Sequence, residues 1–190
     1  MIVGLISDTH SAGSGRDLPG AVLRALKGVD LILHCGDLEC LGVLDYLESV
    51  APVLAVRGYE DPVEAGDRLA HRTRVVQVEG VAIGMTHDIQ WPGPRIVPIL
   101  GGETEPGLEF PAGPPKDLLA KKFGQEVDAV IFGDTHQEMI KTYGGVLVVN
   151  PGSSTYPCRG FASGALGTVG IMEVNQGKIE ARLLDLESFK

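Results

Sequence analysis

The chain has 190 residues, is 44% hydrophobic and carries a formal net charge of −9, from 16 Lys+Arg against 25 Asp+Glu. That length and composition suit one folded unit with a sizeable core and exclude a disordered chain. The acidic balance argues against non-specific nucleic-acid binding, which needs cations to neutralise phosphates. No apolar run exceeds strand length, Met1 leads straight into a strand without a charged leader, and Cys35, Cys40 and Cys158 offer no disulfide framework. A reduced, cytoplasmic protein without a membrane span is therefore expected.

Residues 2–7 read as a buried strand that runs into Ser7-Asp8-Thr9-His10. Leu18, Val22, Leu23 and Leu26 share one helical face, residues 29–35 form the next strand, and Gly36-Asp37 follows it. Leu41, Leu44 and Leu47 mark a second helix, and residues 51–58 a third strand. This β-α-β-α-β order predicts parallel strands with right-handed crossovers and ligands at their carboxyl ends, where Asp8, His10 and Asp37 fall.

After Asp61-Pro62, a short polar stretch leads to two strands joined by a turn at Glu79-Gly80, the second ending at His87. Residues 89–115 are dense in Pro and Gly and are expected to lack regular structure, as an insertion that covers a pocket or meets a partner chain. Residues 115–123 read as a helix stopped by Gly124, and residues 128–133 as a buried strand ending in Gly133-Asp134-Thr135-His136. The rest is strand and turn: residues 144–150, a tight turn over 150–154 in which Gly152 permits the backbone, and an antiparallel pair around Asn175-Gln176-Gly177. With no repeat and no boundary in view, residues 1–190 are expected to form one domain.

The chemistry lies at four strand ends. Asp8, His10, Asp37, His87, Asp134 and His136 would gather along one sheet edge, and carboxylates with imidazoles and few basic partners meet around metal ions. Asp8 and His10 alternate, which would turn both side chains to one side of an extended segment. Singly, each has an ordinary role: His87 a hydrogen-bonded strand-end histidine, Asp37 a helix N-cap, Asp61 a turn or supporting residue, Asp88 a solvated acid. Their coincidence favours the metal. No Gly-x-Gly-x-x-Gly follows the first strand, which sets aside a dinucleotide-binding oxidoreductase.

In order along the chain, Asp8-Thr9-His10, Gly36-Asp37, Gly58-Tyr59-Glu60-Asp61, Thr86-His87 and Gly133-Asp134-Thr135-His136 resemble the signature blocks of the calcineurin-like metallophosphoesterases. Asn150-Pro151-Gly152-Ser153 resembles a block of their small bacterial and archaeal phosphodiesterase branch. The resemblance implies an α/β fold of two mixed β-sheets packed as a sandwich flanked by helices, four layers in αββα order. It implies a divalent-metal-dependent phosphoesterase, a phosphodiesterase by preference, in which a metal-activated water attacks phosphorus. Asp8, His10, Asp37 and His136 would hold a first metal, and a second would share Asp37 and take His87, with Asp37 and His136 central to catalysis.

The chain departs from the family pattern at Tyr59, where the family has Asn, and at Asp134, where it has His. A second site of Asp37, His87 and Asp134 is harder and more anionic, with Tyr59 joining only as a phenolate. Such a set points to Mn²⁺ ahead of Fe, Zn²⁺, Ni²⁺ or Mg²⁺; the alternative is a second site too weak to fill. At Glu60 some relatives carry a His that assists the leaving group. Arg57, Ser153 and Arg159 are candidate contacts to the phosphate of a small phosphorylated substrate, while an ordinary turn over 150–154 stays equally open. The competing implication is a non-enzymatic scaffold, as in the eukaryotic retromer subunit, with Trp91, Ile96, Val97, Ile99, Leu100 and Phe110 free to dock a partner or close a homo-oligomer.

Overall fold

The computed structural model describes residues 1–63, 66–97, 107–111, 113–158 and 165–190. Arg159, Ile99 and Leu100 lie outside the described residues. In chain order the first elements are β1 (Ile2–Ile6), α1 (Gly20–Ala25), β2 (Leu31–His34), α2 (Gly42–Leu47), β3 (Val53–Ala55), β4 (Thr73–Val78), β5 (Val81–Thr86) and β6 (Arg95–Val97). There follow β7 (Gly107–Glu109), α3 (Pro115–Phe123), β8 (Ala129–Ile131), β9 (Met139–Tyr143), β10 (Val146–Asn150), β11 (Thr168–Asn175) and β12 (Lys178–Asp185).

Two mixed five-stranded sheets result, in the orders β12-β11-β1-β2-β3 and β4-β5-β8-β10-β9. β1, β2 and β3 are parallel, as are β5, β8 and β10, and the remaining strands pair antiparallel at the edges. The period-two pleat decides the layers. Val3, Leu5, Leu31 and Leu33 of the first sheet pack against Ile83, Met85, Ala129, Ile131 and Val149 of the second. Their neighbours turn outward: Ile6 and Ile32 lie under α1 and α2, and Val130 and Val148 lie with Leu119 of α3. The four-layer αββα sandwich is thus the observed architecture. Among the described residues no helix is long and apolar enough to cross a membrane.

Turn chemistry fixes the hairpins. Glu79 and Gly80 have φ of 47° and 82°, and Gln176 and Gly177 have 50° and 79°, the two successive positive values of a type I′ turn. Three expectations need correcting. Residues 89–115 are not devoid of regular structure, because β6 and β7 pair antiparallel and Leu108 is buried with Ile89 and Leu119. Strand β9 was not anticipated; it pairs with β10 through Gly144 and Gly145, whose φ are 57° and 86°. Leu18 precedes its helix, since Pro19 stands at the N-cap, yet Leu18 is buried as the helical face required.

The sheets also correct where the polar strand ends meet. They do not share one edge of one sheet: β1, β2 and β3 end beside β5, β8 and β10, so the rim belongs to both layers. Leu33, fully buried between the sheets, tests the sandwich. Leu33→Ala is expected to lower the unfolding free energy by about 3 kcal/mol, read from urea denaturation with an unchanged m-value.

Candidate metal centre

The segments that leave the strands are not extended. Asp8 (φ 52°), His10 (40°), Asp37 (54°), Glu39 (63°), Asp134 (69°) and His136 (56°) all occupy the left-handed region. For non-glycine residues that conformation costs on the order of 1 kcal/mol or more each, and it clusters where function requires it. Asp8 and His10 therefore converge through backbone curvature, which corrects the expectation of alternation along a straight segment. Cross-strand bonds hold the curve: Asp8 N–H donates to Gly36 O and His10 N–H to Asp37 O, both at 3.0 Å. Two glycines make the approach possible. A Cβ on Gly58 would stand 2.1 Å from Asp37 Oδ1, and one on Gly133 would stand 2.6 Å from Asp8 Oδ2.

Three imidazoles point into the rim, and the tautomer of each is fixed from behind. His87 Nδ1 lies 2.8 Å from Cys35 O, His136 Nδ1 lies 2.7 Å from Tyr156 O, and His10 Nδ1 lies 2.9 Å from Glu39 Oε1. Carbonyls and carboxylates only accept, so each Nδ1 carries a hydrogen, and Nε2 is the nitrogen that presents a lone pair whenever the ring is neutral. His10 Nε2 and His136 Nε2 then face each other at 3.1 Å, and His87 Nε2 stands 3.2 Å from Asp37 Oδ2. Lone pairs at such distances repel unless a proton or a cation lies between them. This is the arrangement of metal-bound histidines supported by an outer acceptor.

The carboxylates complete the case. Asp8 is fully buried; its Oδ1 accepts the Asp134 N–H at 3.1 Å, and its Oδ2 has no hydrogen-bond partner. Burial raises its pKa, and burial likewise raises that of Asp134. Burial would raise Asp37 too, but His87 and the Glu60 N–H outweigh it and bring it down to about 2. Burial alone would lower His87, yet the Asp37 and Asp8 carboxylates push it up to about 9. Ligand atoms within 4.8 Å of one another occur in three sets: Asp8 with His10 and His136, Asp8 with Asp37 and His87, and His10 with Asp37 and Glu60. Clustered carboxylates and imidazoles, among them the buried and unpartnered Asp8 Oδ2, with no Lys or Arg in the three sets, fit divalent metal ions.

Several residues differ from their expected roles. Tyr59, a candidate ligand, instead donates its hydroxyl to Asp88 at 2.7 Å, which with burial pushes its pKa up to about 12 and keeps it a phenol. Asp88 is correspondingly a hydrogen-bond acceptor and not a merely solvated acid. Ser153 is fully buried, and its hydroxyl donates to Asp8 O at 2.6 Å while accepting the Tyr156 N–H at 2.8 Å. It clamps the Asp8 backbone, so it is not free for phosphate. Asp134 reaches to 3.8 Å of His87 Nε2 but joins none of the three tight sets. Arg57 lines a cavity next to His87.

Other contributors were missed or underrated in the sequence. Glu60 sits with His10 and Asp37, and Glu39 fixes His10; both are acids just past a strand end, the same signal that marked Asp37. Asp61 braces two loops at once: its oxygens accept the N–H groups of Asp37, Leu38, Glu39 and Gly58 at 2.7–3.0 Å. Asn150 braces a third, donating to Gly133 O at 2.9 Å and to Thr135 Oγ1 at 3.1 Å. His34 is the exception that proves the tautomer argument. Its Nδ1 accepts the Gly36 N–H at 3.1 Å, so Nε2–H donates to Thr9 Oγ1, and burial drives its pKa down to about 3.

Known proteins resemble this chain in sequence and fold. The family model of the calcineurin-like phosphoesterase superfamily domain matches residues 1–177. A probable metallophosphoesterase of Methanocaldococcus jannaschii is 33% identical over 190 residues, which cover 98% of this chain and 82% of the relative. A phosphodiesterase of the same organism is 27% identical over 98% of this chain and all of its own length, 100%. Among solved structures, wild-type Vps29 of Entamoeba histolytica complexed with Zn²⁺ has a TM-score of 0.63 at 22% identity, covering 98% of this chain and 99% of that one. At that identity the likeness is one of fold.

Two outcomes follow from the geometry. Asp61→Ala leaves four backbone N–H groups without their acceptor and is expected to lower stability by about 3 kcal/mol and weaken Mn²⁺ binding, though Asp61 is in none of the ligand sets; denaturation and metal titration measure both. His87, raised from 6.5 to about 9, holds its proton more tightly folded than unfolded. In the metal-free protein its charge therefore stabilises below pH 6.5, and that contribution fades as pH climbs through 9. Because a metal needs the bare nitrogen, Mn²⁺ affinity is expected to rise with pH up to about 9 and then level, with proton release seen by calorimetry in buffers of different ionisation enthalpy.

Proposed function

This chain belongs to the calcineurin-like phosphoesterase superfamily, and from that premise we propose that it is a divalent-metal-dependent phosphodiesterase acting on a small phosphorylated substrate. The observation that carries the reading is the convergence on the buried Asp8 and Asp37 carboxylates of three Nε2 atoms, each on a ring whose Nδ1–H is bonded from behind. Asp8, His10, Asp37 and His136 would hold one cation, and Asp37, His87 and Asp134 the other, with Glu60 close to the first set. The mixture of imidazole and carboxylate, weighted to carboxylate in the second set, favours Mn²⁺. Divalent ions there would lower the pKa of water and neutralise charge on the phosphoryl oxygens.

The chain's own groups do the positioning. Asp37 stays ionised throughout the working range, with one oxygen fixed by the Glu60 N–H at 3.0 Å, so it is a permanent anion between the two halves of the centre. His10 and His136 are oriented by Glu39 and by the Tyr156 carbonyl, and neither ring can turn without losing its Nδ1 bond. Preorganised groups of this kind need no rearrangement as charge develops. A second reading, a scaffold on the same fold, draws on Trp91 and Val63, which are 85% and 82% exposed.

Purified protein with Mn²⁺ is expected to cleave a generic aryl phosphodiester such as bis(p-nitrophenyl) phosphate. Asp37→Asn and His136→Ala are each expected to reduce kcat/KM by at least about a hundredfold, in line with the removal of a charge-stabilising group. A wild type that stays inert with Mn²⁺, Fe²⁺, Zn²⁺, Ni²⁺ and Mg²⁺, and that elemental analysis finds free of metal, sinks the enzyme reading in favour of the scaffold.

A further inference from the structure

Beside the metal centre, and sharing His87 as a wall, lies a cavity of about 230 Å³. That is smaller than the roughly 300 Å³ or more that encloses a whole drug-sized ligand, so it suits one arm of a substrate. Three cations converge on it, Arg57, Arg72 and Lys122, although the chain as a whole carries −9. The carboxylate in its wall, Asp88, is already engaged by the Tyr59 hydroxyl and the Gln90 N–H, both at 2.7 Å.

Against these three cations the cavity wall sets one carboxylate, Asp88, which raises the pKa of Lys122 without forming an ion pair with it. Among the described residues no ion pair involves Arg57, Arg72 or Lys122. Arg57 Nε is buried without a partner, and its Nη1 reaches only Val63 O, at 3.5 Å. Lys122 is 9% exposed and donates to Trp91 O at 3.1 Å, and burial lowers its pKa. Burying a cation with too little counter-charge is unfavourable, so an anion in the cavity would relieve Lys122 and the buried Arg57 Nε, while the exposed Arg72 adds positive charge to the wall.

We infer that this cavity is a second-anion subsite, which seats a further phosphate or carboxylate of the substrate while the phosphodiester lies at the metal centre. The identification of that phosphodiester rests on the proposed function, whereas the anion binding stands on the cavity itself. The substrate class is then a phosphodiester that bears another anionic group on one of its ester arms, in preference to one with neutral arms.

The test compares thymidine 3′,5′-bisphosphate with thymidine 5′-monophosphate, titrated by calorimetry into the protein with Mn²⁺ present. The bisphosphate is expected to bind about tenfold more tightly, the scale of one desolvated charge-assisted contact. Arg72 is exposed, so Arg72→Ala should fold normally; it is expected to cut the preference to about twofold or less, and raised ionic strength to shrink it further. Equal binding of the two, or a preference that survives in the Arg57→Ala/Arg72→Ala double variant, overturns the subsite. Cleavage of the p-nitrophenyl esters of both compounds separates the two readings. A binding preference without cleavage of either ester leaves the subsite standing and removes the phosphodiesterase, while cleavage of both at equal kcat/KM with equal binding does the reverse.

Discussion

A neutral imidazole can offer a lone pair from only one nitrogen, and the other must find an acceptor for its hydrogen. Three rings here are held to the same choice by Cys35 O, Tyr156 O and the Glu39 carboxylate. Everything else at the rim depends on that. With Nδ1–H spent behind the ring, Nε2 is left facing other acceptors, and only something positive relieves the arrangement. His34, fully buried, shows the opposite outcome: a backbone N–H on Nδ1 reverses the tautomer and turns Nε2 into a donor for Thr9. The same residue type thus offers Nε2 to the rim or serves as a strut according to what stands behind it.

The strained backbone and its braces are two sides of one arrangement. Six left-handed residues at strand ends would relax if nothing opposed them. Asp61 opposes it by gathering four amide hydrogens from two loops of the first sheet, and Asn150 and Ser153 do so by tying the Gly133 and Asp8 backbones. None of these three offers an atom to the tight ligand sets. They are the reason why Asp8, His10, Asp37 and His136 arrive with the right atoms inward.

Much of this was legible in the sequence, because apolar strands followed by Asp or His are a periodic signal and periodicity reports burial directly. The β1–α1–β2–α2–β3 order, the hairpin turns and the six principal acids and histidines could all be read that way. What could not be read depended on partners far along the chain. Tyr59 looked like a replacement ligand because its neighbours occupy a ligand-bearing loop, yet its hydroxyl is claimed by Asp88, 29 residues away. Ser153 looked free for phosphate because its attachment to Asp8, 145 residues away, has no local signature. Strand β9 carries little alternation of its own and exists through its register with β10. Glu39 and Glu60 were visible as acids past strand ends, but their exact reach to His10 follows from the left-handed turn at Asp37 and Glu39.

The division of the rim between two layers has a mechanical meaning. Asp8, His10 and Asp37 hang from one sheet, and His87, Asp134 and His136 from the other. The apolar contact between the sheets is non-directional and would tolerate a small slide of one over the other. Ions held by both sets would not. They would act as a bolt through the seam, setting the offset between the layers and making the sandwich shear-resistant at the end that carries the ligand sets.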